Sequence, residues 1–324
     1  MALAACFVFS AQAADKKVLV VSVTKSFRHD VIPSADKMLE KLAKESGQFD
    51  VDFVRTDEDM AKLMTMDSLK KYDGVVFNNT TGELPLPDKN GFINWIASGK
   101  GYVGLHAATD TFAGFPAYTE MVGGLFLTHG AQATVNIIKE DPTHPIIKDI
   151  PDNLVVHDEI YILQKFNRDT VHGLLTLDKR PNDGSPTANQ PGDYPIAYCK
   201  NWGQGRVFYT SLGHRTDVIA TDWYEGHVLQ GILWSIGLVD GDPSPTSNWY
   251  TVSAEEAAEG FVPFFNGCDL TGWYYRNPNG LKSWSAQNGM LVNSIPPGQH
   301  GTDLITNAKY RDFVVRYEYM VPEG

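Results

Sequence analysis

Three cysteines in 324 residues are too few to staple a fold. Cys6 lies in an apolar N-terminal stretch, and Cys199 and Cys268 lie in segments of different character, so neither a disulfide framework nor a cysteine-based zinc site is expected. Positive charge is short as well: 27 Lys and Arg against 39 Asp and Glu leave a formal charge of −12. Nucleic acid and anionic membrane both require a basic face, so neither is an expected partner. No stretch reaches the roughly 18 apolar residues of a membrane-spanning helix, which argues against insertion. Core-forming residues are in normal supply, at 43% hydrophobic, and the length suits two domains.

The first 14 residues are apolar and small, and Ala11, Gln12 and Ala13 form an A-x-A site before Asp15, Lys16 and Lys17. That is the apolar region and cleavage site of a secretory signal without its basic leader. A periplasmic or secreted protein is the expectation, the leader being absent through a late start or a fragmentary sequence. Leu3 to Cys6 also resembles a lipoprotein box, but little apolar chain precedes it, so lipidation ranks second.

From residue 17 to about 105, apolar runs of strand length alternate with amphipathic stretches. Residues 17–23, 49–54, 72–78 and 101–105 read as strands. Pro33 and Ser34 open a helix with Ile32, Ala35, Leu39, Leu42 and Ala43 on one face and Gly47 at its end. Shorter helices are expected within 60–69 and 92–97. The alternation predicts βαβ units and a parallel sheet. Such sheets carry their sites beyond the carboxyl ends of the strands. Arg28 and His29 follow the first strand, Asn78 and Asn79 end the third, and His106 and Asp110 follow the fourth. All are expected on one rim.

Gly104, His106 and Ala108 form a Gly-x-His-x-Ala strand-to-turn, the setting of a nucleophile elbow. A histidine raised there can take a proton or bind a metal, but it seldom forms an acyl-enzyme.

Past this elbow the pattern is less regular. Residues 115–122 read as a helix, 123–130 as a turn-rich segment carrying His129, and 133–138 as a strand. His144 sits in a Pro-bounded turn. Residues 154–162 read as one strand, on which His157 and Glu159 share a face while Asp158 takes the other. Glu159 is the favoured site residue of that stretch, with Asp158 as a further catalytic candidate. Residues 179–193, rich in Pro, Gly and Asn, read as a surface loop. A hairpin through Gly203 and Gly205 leads to His214 at a strand end. A last helix, 222–237, carries His227 as a surface or packing residue.

Residues 241–258 are polar and Pro/Ser-rich, and read as a linker. Beyond them, 259–324 show short aromatic strands in an all-β pattern. Trp273, Tyr274, Tyr275 and Trp284 suit either sugar stacking or a β core. About 66 residues are few for a closed sandwich, so the chain is read as stopping inside a domain.

Several motifs, in order, resemble the ThuA-like (trehalose-utilisation) family across about 17–238. They are Phe27-Arg28-His29, Gly104-Leu105-His106, Gly123-Gly124 with Phe126 and His129, Asp158-Glu159 with Tyr161, and Gly205-Arg206 through Gly213-His214. The resemblance implies a flavodoxin-like fold similar to class I glutamine amidotransferases, in which the elbow holds a catalytic Cys. His106 stands at that position here, so amidotransferase chemistry does not carry over. The tail, through Phe261, Asn266, Gly267, Trp273, Trp284 and Phe313, resembles the start of a 3-keto-disaccharide hydrolase domain, a concanavalin-like jelly roll. The expected organisation is a signal at 1–14, a ThuA-like domain at 15–240, a linker at 241–258 and a partial β domain at 259–324.

Both resemblances imply a small carbohydrate substrate bearing a ketone. A ketone at C3 acidifies the hydrogen at C2, and its removal lets the C1 substituent leave. Such a site needs a base near C2 and a positive group or metal at the C3 oxygen. His106, Glu159 and Asp158 are the catalytic candidates. His29, His129 and His214 are candidate ligands for a divalent ion, zinc before others. Arg28, Asp110 and Asn78 are candidate substrate contacts. A metal site, a metal-free His/Glu acid–base site and purely structural histidines all remain open at this stage. So does a non-catalytic sugar-binding module feeding substrate to the C-terminal domain.

Overall fold

A computed structural model of the chain describes residues 16–189, 191–246, 256, 258–265, 270, 272–287, 290–317 and 319–320. The expected export signal, the centre of the expected linker and Cys268 lie outside the described residues.

The first part runs β1 (Lys17–Val21), α1 (Ile32–Ser46), β2 (Asp50–Val54), α2 (Asp57–Leu63), α3 (Met66–Leu69), β3 (Gly74–Asn78), α4 (Lys89–Ala97) and β4 (Gly101–Leu105). A 3-10 turn at His106–Asp110 and α5 (Pro116–Val122) follow. Next come β5 (Leu125–His129), β6 (Ala133–Asn136), β7 (Ile138–Lys139), β8 (Val155–Asp158) and β9 (Tyr161–Gln164). The domain closes with β10 (His172–Lys179), β11 (Pro191–Trp202), β12 (Gly205–Thr210), α6 (Thr216–Ile219) and α7 (Asp222–Ser235).

Local chemistry accounts for the helix ends. Pro sits in the first turn of α1, and Gly47 closes it in the left-handed region at φ 63°. Thr56 and Asp59 form a reciprocal capping box on α2.

One eight-stranded sheet has the order β2-β1-β3-β4-β12-β11-β10-β7. The pairings from β2 to β12 are parallel, and those from β12 to β7 are antiparallel. β3 and β4 are buried at every position, as strands covered on both faces must be. Alternate residues of β1 serve two cores: Val18 and Val20 pack on the face of α1 and α7, and Leu19 and Val21 on the face of α4 and α5. Two small ribbons, β5–β9 and β6–β8, stand apart from the main sheet.

After α7, residues 273–306 form two further ribbons. β13 (Trp273–Tyr275) pairs with β16 (Leu304–Thr306), and β14 (Trp284–Gln287) pairs with β15 (Met290–Asn293). This is the α/β architecture with a β tail that the alternation predicts.

Three local readings need correction. Residues 154–162 are two strands with a break at Glu159 and Ile160, so the single-strand face argument fails. Residues 123–130 hold a strand, β5, after the helix-ending Gly123. The loop after β10 is not all surface, because Arg180, Asp183 and Ser185 are buried. Arg180 pairs with Asp183 at 2.7 Å and donates to the Ile160 and Tyr161 carbonyls. Asp183 in turn takes the Ala131 N–H at 2.7 Å through its carbonyl. The loop therefore straps the break beside Glu159 to the end of β5.

Candidate metal and substrate site

Neighbouring parallel strands deliver the two central histidines. β4 and β12 are paired to the end, Leu105 beside Thr210, so His106 and the Ser211–His214 turn emerge side by side. His106 is fully buried and has φ 45°. That left-handed backbone costs a non-glycine residue roughly 1–3 kcal/mol. Tyrosine hydroxyls prop the turn: Tyr209 donates to the His106 carbonyl and Tyr118 to the Ala108 carbonyl, each at 2.8 Å. The elbow read from the sequence is thus a strained turn with an imidazole at its apex.

His106 Nδ1 donates to the Ser211 carbonyl at 2.6 Å. The tautomer follows from that bond: Nε2 carries a lone pair and faces the site. It lies 3.3 Å from His214 Nδ1 and 3.4 Å from Glu159 Oε2, and His214 Nδ1 lies 3.3 Å from the same oxygen. His29, nearly buried, joins them, and one ligand atom from each of His29, His106, Glu159 and His214 falls within 4.8 Å of the others.

Three acceptors at such separations repel. One proton on His214 Nδ1 can relieve its own two edges but not the edge between His106 and Glu159. A cation among them relieves all three. Two ligands 2.0–2.1 Å from a tetrahedral ion lie about 3.3 Å apart, which is the spacing found. Among the described residues His29 Nδ1, which is buried, has no hydrogen-bond partner, a further lone pair open to a cation. The residues fit a divalent metal.

Charge follows the same geometry. Burial, with His106 and His214 next, brings the His29 pKa down to about 3, so its imidazole is neutral. Burial works to raise the Glu159 carboxyl, but the imidazoles of His106 and His214 beside it outweigh burial and hold the group well below the usual range. His214 is pushed up, chiefly by its bond to Glu159.

Residues 17–235 match the family described as ThuA, trehalose utilisation. The chain belongs to the ThuA family. Residues 260–324 match a 3-keto-alpha-glucoside-1,2-lyase-like domain. Two solved ThuA-like proteins are similar in fold. The one from Parabacteroides merdae has a TM-score of 0.57 at 21% identity, covering 71% of this chain and 95% of its own. The one from Bacteroides uniformis has a TM-score of 0.55 at the same identity and coverage. The search of curated proteins found no match. The two family matches give the protein a carbohydrate-related function.

The ThuA domain brings most, but not all, of the expected site residues together. His29, His106, Glu159 and His214 form the cluster. His106 and Glu159, expected as catalytic groups, share the donor set with the expected ligands His29 and His214. His129, expected as a ligand, stands outside that set. It is half-exposed, donates Nδ1–H to the Gly130 carbonyl at 2.7 Å, and touches the other Glu159 oxygen at 3.3 Å. The reason is its place at the end of β5, across the ribbon from Tyr161.

Asp158 is fully buried and accepts N–H bonds from Gly213 at 2.7 Å and Glu159 at 3.0 Å. It therefore ties the His214 turn to the Glu159 turn from beneath, and burial raises its pKa. His157 faces away, exposed and bonded to Thr134.

The three expected substrate contacts divide. Asp110 is half-buried at the end of the elbow turn, with its pKa raised by burial. Asn78 is fully buried and donates to Asp36 at 2.9 Å while its oxygen accepts from Asn79. It props β3 against α1. Arg28 is exposed but turns back onto the Ser22 carbonyl at 2.9 Å.

Arg180 and Ser211 were not singled out from the sequence. Arg180 acts from a loop with no strand-end signal, and Ser211 contributes a backbone carbonyl, which sequence does not advertise. Tyr161, present in the motif but given no role, packs its ring 4.2 Å from His106 and covers it.

Proposed function

We propose that the ThuA domain is the catalytic unit of an exported protein that cleaves 3-keto-glycosides or closely related oxidised disaccharides. The donor triangle of His106, Glu159 and His214, with edges of 3.3–3.4 Å, carries the proposal. His29 completes the set that would hold the metal, and the mix of imidazole and carboxylate suits zinc. A divalent ion there supplies Lewis acidity for a keto oxygen.

The remaining work falls to the chain's own groups. His129 has its Nδ1 proton committed to Gly130, so Nε2 is free to take the C2 proton. The electron pair released at C2 forms the enolate with C3. Its return expels the C1 oxygen, leaving a double bond between C1 and C2. Asp110, whose carboxyl burial favours the protonated form, supplies the proton that the departing oxygen takes. Addition of water across the new double bond completes hydrolysis. Tyr161 and Phe126, with rings 4.4 Å apart, shield the His106 side from water.

The test is metal content of the purified full chain together with assay of a 3-keto-α-glucoside, following the ultraviolet absorbance of the conjugated enone. Turnover that stops on chelation and returns with zinc or another divalent ion is the expected result. Binding of the keto-sugar without turnover would make the domain a sugar-binding module. Neither binding nor turnover would refute the reading.

A further inference from the structure

Single apolar side chains on a surface need no explanation, but an apolar patch at a site does. Among the described residues of 17–240, four large hydrophobic side chains are exposed: Phe27, Leu127, Val155 and Leu238. One of the four, Phe27, borders the donor cluster. Phe27, 65% exposed, is the most exposed and the one aromatic. Its ring centre is 4.8 Å from that of His29, with planes at 84°. The His29 ring stands 5.0 Å from His106 and 5.3 Å from His214, so Phe27 is one imidazole away from the donor triangle.

The exposure of Phe27 is not slack in its loop. The Phe27 carbonyl accepts the Thr81 hydroxyl at 2.7 Å, and the Ser26 and Lys25 amides donate to Thr81 Oγ1 and the Thr81 carbonyl at 3.3 and 2.8 Å. Arg28 reaches back to the Ser22 carbonyl. The backbone is held on both sides of a ring that is left in solvent.

The cations nearby are already engaged. Arg215 donates to Asp217 and Gln132, and Lys25 pairs with Asp57. Outside the donor set an anionic group therefore has little to meet it, whereas a neutral ring with an apolar face has Phe27.

We propose that Phe27 is the stacking platform of this site, taking the C–H face of a neutral pyranose whose oxygens turn toward the site that His29, His106, Glu159 and His214 line. The proposal rests on the carbohydrate reading above. It predicts that specificity among oxidised sugars depends on an unobstructed apolar ring face at the Phe27 side.

Phe27→Ala and Phe27→Trp in the full chain test it, by steady-state kinetics on a 3-keto-α-glucoside, or its Kd where turnover is absent, beside metal content. Phe27→Ala should raise KM or Kd about 5- to 10-fold, with kcat and metal content unchanged, and Phe27→Trp should stay near wild type. An unchanged KM in Phe27→Ala overturns the platform and leaves the sugar reading intact. Loss of metal in Phe27→Ala also overturns it, making Phe27 a support for His29. A wild-type protein that holds metal but neither binds nor converts the sugar fails the carbohydrate reading, and the platform with it.

Discussion

Replacing Glu159 by Gln keeps the shape of the donor triangle while removing its one anion. Glu159 Oε2 faces His106 Nε2 and His214 Nδ1 at 3.4 and 3.3 Å, so the change acts on metal affinity rather than on packing. Loss of a group that merely supports a ligand costs 10- to 100-fold in affinity. Loss of a charged ligand should cost at least the upper figure, about 100-fold. An ion that binds only the folded state at 100 times its Kd stabilises by about 2.7 kcal/mol, and a 100-fold weaker site at the same concentration by about 0.4 kcal/mol. For a domain of this size, 1 kcal/mol moves Tm by about 2–4 °C. Zinc should therefore raise the wild-type Tm by about 5–10 °C and that of Glu159→Gln by only about 1–2 °C. The assay is a thermal melt of metal-stripped protein with and without added ion. Equal shifts in both proteins would refute the triangle as a ligand set, as would a wild type that zinc, manganese, cobalt and nickel all leave unmoved.

Asp158→Ala strips the buried N–H groups of Gly213 and Glu159 of their acceptor, so urea unfolding should show a loss of about 2–6 kcal/mol; a loss within 0.5 kcal/mol would show that water replaces the carboxylate. Gly213 has φ 105°, and an added Cβ would lie 2.2 Å from the Tyr224 hydroxyl. Gly213→Ala should cost about 2–4 kcal/mol and weaken metal binding through His214, and a melt within 1 °C of wild type would contradict this. His144 and His227 are buried, and burial brings each down from 6.5 to about 4. Their unfolded forms take up protons first as pH falls, so their stabilisation is complete above about 6.5 and is lost toward 4. The pair should lower unfolding free energy by about 3–4 kcal/mol between pH 7 and pH 5, and equal urea midpoints at the two values would refute it.

The parts of the site that were legible are those set by local pattern. His29, His106 and His214 each follow an apolar run of strand length, and a parallel sheet puts such residues on one rim. The elbow at His106 was readable because Gly104 and Ala108 flank it with small side chains. Glu159 was named on a weaker ground. The stretch from Leu154 to Ile162 has no Gly or Pro to mark a break, so it reads as one strand. The break comes from capture of the Ile160 and Tyr161 carbonyls by Arg180, some 20 residues on. That same break lets Asp158 and Glu159 serve one site from adjacent positions, which no continuous strand allows. His129 and Asn78 are placed differently from the other strand-end residues. Each stands at a strand end, but ribbon pairing holds His129 outside the donor set, and α1 buries Asn78 through Asp36.

Periodicity, caps and turn residues in this chain already specify an α/β sheet, its leading strands, its helix ends and a tail of aromatic β strands, because each depends on neighbours a few positions apart. The order of motifs is likewise a property of the linear chain. Which histidines meet is not. The pairing of β4 with β12 joins residues about 100 positions apart, and the Arg180 strap and the Asp158 bridge join three separate turns. Such contacts depend on how the two core layers close around the sheet, so tertiary packing alone decided that His29, His106, His214 and Glu159 share one small volume while His129 stands at its edge.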